Sequence, residues 1–81
     1  MHLWQIEPSP EVDAFLTDNA GSVDELVESI ESLTIAEGLP DIGAIEPEPN
    51  LFYWLTAAHI VVYRRVPQTN MVRLISIKPD R

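Results

Sequence analysis

Residues 59–78, HIVVYRRVPQTNMVRLISIK, decide the fold of this chain. Two runs rich in β-branched residues, Ala58–Val66 and Met71–Lys78, flank the four-residue turn Pro67–Asn70. β-Branched residues favour strands, and two strands joined by a short connection must pair antiparallel. The stretch therefore predicts a β-hairpin, and the aromatic-rich run Leu51–Thr56 before it predicts a third strand of the same meander.

Upstream of this meander the sequence predicts one strand and then two helices. His2–Glu7 alternates apolar and polar side chains, as a strand does. Ser9–Pro10 is typical of a helix start, because serine caps free N–H groups and proline needs no donor at the first helical position. Ser22 and Glu25 have the spacing of a capping box, and the apolar residues that follow recur at helical spacing. They predict a second helix over residues 23–37.

The segment 40–50 contains three prolines and three acids, and we expect an extended acidic connector there. Proline cannot donate a ladder hydrogen bond and is therefore disfavoured in a central strand. The predicted order is strand, helix, helix, strand, strand, strand. It indicates an α+β fold in which two helices pack on one face of a largely antiparallel four-stranded sheet. The length of 81 residues fits one domain, 1–81.

The charge of the chain is divided between its two parts. The formal net charge is −8, yet residues 1–50 hold 12 acids without a lysine or arginine, and residues 51–81 hold five bases against one acid. The acidic part disfavours unaided binding to DNA, which depends on neutralising phosphates. The chain has no cysteine and does not start as a secretory signal does, so we expect a soluble cytoplasmic protein without a membrane segment.

Several chemistries have no signal in the sequence. The three glycines do not form a phosphate-binding loop, and the two histidines have no partner ligands at metal-site spacing. We therefore expect neither a metal nor a cofactor.

The strand that begins at His59 carries the candidate site. Alternate residues of a strand share a face, and we expect the Ile60 and Val62 face to pack against the helices. His59, Tyr63 and Arg65 are then exposed together. An imidazole, a phenol and a guanidinium suit general acid–base chemistry and phosphate binding. The alternative is a solvated face whose edge charges discourage aggregation.

The stretches His59–Tyr63 and Met71–Arg81 resemble the RelE/ParE superfamily of small bacterial toxins. Members typically show an aromatic residue or histidine, an arginine, an apolar-apolar-Tyr run, a short hairpin, and a last apolar strand that ends a few residues before an arginine. The predicted order of strands and helices also agrees. The resemblance implies a toxin that an antitoxin protein neutralises. Its activity would be ribosome-dependent endoribonuclease cleavage of mRNA or inhibition of DNA gyrase.

The resemblance also implies site residues. His59 and Tyr63 match the family's aromatic or histidine position and its tyrosine, and Arg81 matches the arginine beyond the last strand. The predicted catalytic residues are His59, Tyr63, Arg65 and Arg81. The predicted substrate-binding residues are the remaining cations, Arg64, Arg73 and Lys78.

Two other interpretations remain open at this point. Ile60 stands where family members usually carry an arginine, and the chain is acidic. These features favour a non-catalytic protein-interaction module of the same fold, which would accept a partner strand or helix. An unrelated small α+β domain is the third interpretation.

Overall fold

Two helices pack on one face of a five-stranded sheet in the computed structural model, which describes residues 3–80. The elements in chain order are β1 (Gln5–Pro8), α1 (Pro10–Asp18), α2 (Asp24–Ser32), β2 (Ala44–Glu48), β3 (Leu51–Thr56), β4 (His59–Val66) and β5 (Met71–Pro79). The strand order across the sheet is β1-β5-β4-β3-β2. Strand β1 runs parallel to β5, and the other neighbours are antiparallel. The α+β class is confirmed, whereas the four-stranded sheet is wrong, because the sheet is mixed and has five strands.

The additional strand, β2, lies in the segment that we expected to be a connector. It pairs antiparallel with β3, from Ala44 opposite Trp54 to an irregularity before Glu48. Pro47 is tolerated because β2 is an edge strand with one side open. Gly43 leads into it with φ of 87°, and a Cβ there would lie 2.8 Å from the carbonyl oxygen of Leu55. The start of β2 therefore needs glycine.

Helix α1 starts as predicted. The Oγ of Ser9 accepts a hydrogen bond of 3.2 Å from the main-chain N–H of Val12, and Pro10 is the first helical residue.

Helix α2 is shorter than predicted, and its capping box does not form. Val23 is the N-cap residue and offers no side-chain acceptor, while the Oγ of Ser22 donates to the carbonyl oxygen of Asn19. The helix ends at Ser32 instead of residue 37. The chain then turns back, and the carbonyl oxygen of Thr34 accepts a hydrogen bond of 3.0 Å from the N–H of Trp4.

The core lies between the two helices and the sheet. Leu26 and Ile30 of α2 are buried, as the helical spacing predicted. The buried hydrophobic residues are Trp4, Val12, Val23, Leu26, Ile30, Leu33, Phe52, Trp54, Val61, Tyr63, Val72, Leu74 and Ile77. Among the described residues, no charged side chain is buried with them.

A bulge in β5 changes which residues face the core. The register pairs Val62 with Ser76 and then Tyr63 with Leu74, so that Ile75 is the extra residue. Leu74 and Ile77 are both buried although they are three positions apart. The bulge thus puts Ile77 in the core in place of Ser76, and Ile75 is exposed on the side of the sheet away from the helices.

Candidate functional site

The predicted faces of β4 are reversed in the structure. Val61 and Tyr63 are fully buried in the core on the helix side, whereas Ile60 and Val62 are only half-buried on the opposite side. The alternation itself was correct. The two faces of this strand are both rich in apolar side chains, so the pattern did not indicate which face the helices cover.

His59 lies half-buried at the edge of the core, where it lines a hollow of about 310 Å³ beside the start of α2. Its ring packs edge-on against Phe15 with the centroids 5.8 Å apart. Its Nδ1 lies 2.8 Å from the carbonyl oxygen of Ala57 in the tight turn before β4. Both contacts are local packing and hydrogen bonding.

Tyr63 is part of the core. Its ring stacks on Phe52 at a centroid distance of 5.2 Å, and its hydroxyl donates a hydrogen bond of 2.9 Å to the carbonyl oxygen of Gly38. Burial raises the pKa of the Tyr63 hydroxyl above its ordinary value. The phenol is therefore neutral and satisfied, and it has no open path to a substrate.

The side chain of Arg65 contacts three separate segments of the chain, at Glu37, Asn50 and Trp4. Its Nε donates a hydrogen bond of 2.6 Å to the carbonyl oxygen of Glu37, and an Nη lies 3.4 Å from the Oδ1 of Asn50. The guanidinium carbon lies 4.7 Å from the ring centroid of Trp4, a cation–π distance. Its Nε and one Nη are therefore engaged within the chain, and its side chain is half-buried.

The predicted catalytic group is consequently not assembled on an exposed surface. His59, Tyr63 and Arg65 contact the helix side, and Arg81 lies outside the described residues. A domain of this length has few large side chains for its core, and Tyr63 is one of them.

The opposite side of the sheet, which we call the outer face, carries no helix among residues 3–80. Tyr53 is 44 % exposed and Ile75 is 41 % exposed, values that are high for large side chains on strands. The apolar residues of this face, which we call the outer patch, are Ile45, Tyr53, Leu55, Ile60, Val62 and Ile75. Sequence reasoning missed this patch, although apolar side chains at consecutive positions of one strand signal two apolar faces.

Two shallow hollows lie side by side in the outer patch. The first has a volume of about 400 Å³ and is lined by Tyr53, Ile60, Val62, Ile75, Ser76 and Lys78. The second has a volume of about 300 Å³ and is lined by Gly43, Ile45, Tyr53, Leu55, Ile60 and Asp80. Tyr53 and Ile60 belong to both hollows and form the ridge between them.

A row of charged residues crosses the outer face beside the patch. The register places four charged residues in this row, Glu7, Arg73, Arg64 and Glu48, with the apolar Leu51 between the last two. The Nε of Arg73 lies 3.1 Å from a carboxylate oxygen of Glu7, and an Nη of Arg64 lies 3.5 Å from one of Glu48. These pairs are exposed, so each contributes about 0–1 kcal/mol and is open to exchange.

The three predicted substrate-binding cations thus share one side of the sheet. Arg64 and Arg73 are register partners, and Lys78 lines the first hollow near the opposite end of the patch. Lys78 makes no ion pair with any other residue in 3–80. The outer face therefore combines an apolar centre with cations at its border.

Two other kinds of site find no support in the described part of the chain. Within it, no group of histidine, cysteine and carboxylate side chains is arranged to hold a metal ion. Neither helix has the length and apolar character needed to cross a membrane.

The chain matches none of the protein-family models, curated proteins or solved structures with which it was compared.

Proposed function

We propose that this protein is a RelE/ParE-like module that acts by binding another protein through the outer face of its sheet. The observation that carries the proposal is the uncovered outer patch with its two hollows. Soluble monomeric proteins rarely expose large contiguous apolar patches, and those that occur commonly mark interaction sites. The cations at the border supply the polar rim that such interfaces have.

The position of Ile60 favours binding over catalysis. The resemblance places an arginine of the family at this position, and here an isoleucine forms part of the ridge between the hollows. An apolar side chain adds to a protein interface and cannot bind a phosphate. The burial of Tyr63 removes a second candidate group from the solvent.

By the resemblance, the partners of such a module are an antitoxin protein and a target such as DNA gyrase. Both are proteins, and both fit an apolar surface with a charged rim better than a free nucleotide does. The proposed setting is the cytoplasm, where antitoxins and gyrase are found.

A ribosome-dependent endoribonuclease is the second candidate function. The observation that favours it is the placement of Arg64, Arg73 and Lys78 on one open face, where they would contact the phosphates of mRNA. Glu7 and Glu48 already pair with the two arginines, which reduces the positive potential available to an anion.

Induced expression in a bacterial host distinguishes the two candidates. We expect wild-type protein to slow growth and to co-purify with a protein partner, and a Tyr53→Ser/Ile75→Ser variant to lose both effects. An Arg64→Ala/Arg73→Ala variant is the matched control and should retain partner binding within about threefold, since charges at the exposed rim of an interface contribute little to its affinity.

The opposite pattern would favour the ribonuclease. In that case the arginine variant loses the growth effect, the patch variant keeps it, and primer extension reveals cleaved mRNA. Circular dichroism establishes that each variant is folded. Normal growth together with no recovered partner contradicts the toxin role altogether.

A further inference from the structure

A second surface lies on the segment between α2 and β2 and adjoins the outer face at Gly43, which also lines the second hollow. We call residues 33–43 the clasped loop, because groups from elsewhere in the chain donate hydrogen bonds to its main-chain carbonyl oxygens. Tyr63 donates to Gly38, Arg65 to Glu37, and the indole Nε1 of Trp54 to Ile42 at 3.1 Å. The N–H of Trp4 donates to Thr34. The loop is therefore fixed to the inner side of the sheet along its length.

This fixed loop presents large apolar side chains to solvent. Ile35 is 76 % exposed and Ile42 is 83 % exposed, and Leu39 between them is also exposed. Leu3 is exposed as well, next to the Trp4 N–H that binds the loop. None of these side chains contributes to the core. Because the main chain of the loop is fixed before a partner arrives, it loses little conformational entropy on binding, which favours a docking role.

The charges around the clasped loop are negative. Glu37 and Asp41 are exposed within it, and residues 1–50 contain no lysine or arginine. Helix α2 ends at Ser32 with no basic residue in its last turn, so the negative end of its dipole faces the loop without compensation. The nearby cation Arg65 is already committed to Glu37, Asn50 and Trp4.

We propose that the clasped loop docks a basic amphipathic segment of a partner protein. Apolar side chains of the segment would cover Leu3, Ile35, Leu39 and Ile42. Its lysines or arginines would face Glu37, Asp41 and the carboxyl end of α2, where cations are favoured. A second copy of this chain is a poorer occupant, because each copy has a formal net charge of −8 and two of its five cations already pair with its own acids.

Peptide titration followed by nuclear magnetic resonance of the full chain tests this proposal. The probe is an idealised 18-residue amphipathic helix of leucine and lysine. Two comparison peptides have the same length, one with glutamate in place of lysine and one with the leucine–lysine order scrambled. We expect the first peptide to shift amide signals of residues 33–43 and to bind at least tenfold more tightly than either comparison peptide.

Two variants identify the contacts. Ile35→Ser/Ile42→Ser should weaken binding at least tenfold, and Glu37→Gln/Asp41→Asn should weaken it several-fold and reduce its dependence on salt. All four positions are exposed, so the fold should be unaffected. The control is Tyr53→Ser/Ile75→Ser on the outer face, which should bind the peptide as the wild type does.

Four results would overturn the proposal. The first two are changes in amide signals spread over the acidic surfaces of α1 and α2, and changes in amide signals of the outer face. The other two are equal binding of the glutamate peptide, and no binding of the leucine–lysine peptide at millimolar concentration. A dimer in sedimentation that Ile35→Ser/Ile42→Ser abolishes would assign the loop to a second copy instead. Because the control variant removes the outer patch alone, these results are independent of the proposed function.

Discussion

The hydroxyl of Tyr63 donates a hydrogen bond of 2.9 Å to the main-chain carbonyl oxygen of Gly38, and this contact joins the central strand β4 to the clasped loop. Gly38 is itself buried, with φ of 74°. A Cβ there would lie 3.2 Å from the ring of Trp4 and 3.1 Å from the Cγ of Arg65. A residue predicted to be catalytic is thus a structural anchor of the loop.

Replacing Tyr63 with phenylalanine should destabilise the fold by about 1–3 kcal/mol, because the buried carbonyl of Gly38 would lose its donor. The measurement is urea denaturation at pH 7. The control is Tyr53→Phe, whose ring is exposed and whose loss of a hydroxyl should change the free energy of unfolding by less than about 0.5 kcal/mol. Equal effects of the two substitutions would contradict the anchor role.

The same hydroxyl makes the free energy of unfolding depend on pH in the alkaline range. The pKa of the hydroxyl is raised in the folded protein, whereas in the unfolded chain it has the ordinary tyrosine value of about 10. Its contribution to the free energy of unfolding is therefore complete below about pH 10 and decreases as pH rises above that value. The decrease approaches about 1.4 kcal/mol per pH unit for one group. The stability advantage of the wild type over Tyr63→Phe should therefore shrink between pH 9 and about pH 11. A constant difference across this range would contradict the burial of the hydroxyl.

Arg65→Ala should lower the free energy of unfolding by about 1–3 kcal/mol, because hydrogen bonds from a charged donor and a cation–π contact are lost together. Arg64→Ala, one position earlier on β4, removes a single exposed ion pair and should change it by less than about 1 kcal/mol. Denaturant titration of both variants measures the contrast. If Arg65→Ala is as stable as Arg64→Ala, the hydrogen bond from Arg65 to Glu37 contributes nothing to the free energy of unfolding.

The turn between β3 and β4 contains two alanines in the left-handed region, with φ of 49° at Ala57 and 62° at Ala58. Tight hairpins of this kind prefer glycine or asparagine, since a Cβ makes positive φ unfavourable. Ala58→Gly should therefore stabilise the protein by about 0.5–1 kcal/mol in thermal or urea unfolding. Ala14→Gly in the middle of α1 is the control and should destabilise it by about 0.5–1 kcal/mol. Destabilisation by both glycines would show that the turn is not strained.

Leu26→Ala should destabilise the fold by about 2–5 kcal/mol, because Leu26 is 1 % exposed and its truncation leaves a cavity. Leu39→Ala removes the same atoms from an exposed position of the clasped loop and should have an effect below about 1 kcal/mol. A small effect would confirm that the side chain of Leu39 lies outside the core. A large effect of Leu39→Ala in urea denaturation would place that side chain in the core.

The sequence by itself determined most elements of this protein. The Ser9–Pro10 cap placed α1, the helical spacing before Leu33 placed α2, and the β-branched runs with the Pro67–Asn70 turn placed the final hairpin. These signals are local, since a cap or a turn depends on residues a few positions apart. The capping box at Ser22 did not form, because the N-cap residue of α2 is Val23 and Ser22 lies one position before it, where its hydroxyl donates to the carbonyl oxygen of Asn19.

Only the tertiary structure decided which face of β4 is buried, which strand forms the edge of the sheet, and which groups hold the loop after α2 in place. Ile60 and Tyr63 are both strand residues of large volume, and the choice between their faces depends on how the helices cross the sheet. Strand β2 formed because β3 offered it an edge, despite Pro47. The bulge at Ile75 and the donors that hold residues 33–43 join parts of the chain far apart in sequence. No local pattern contains that information, because burial and pairing are properties of the whole packed chain.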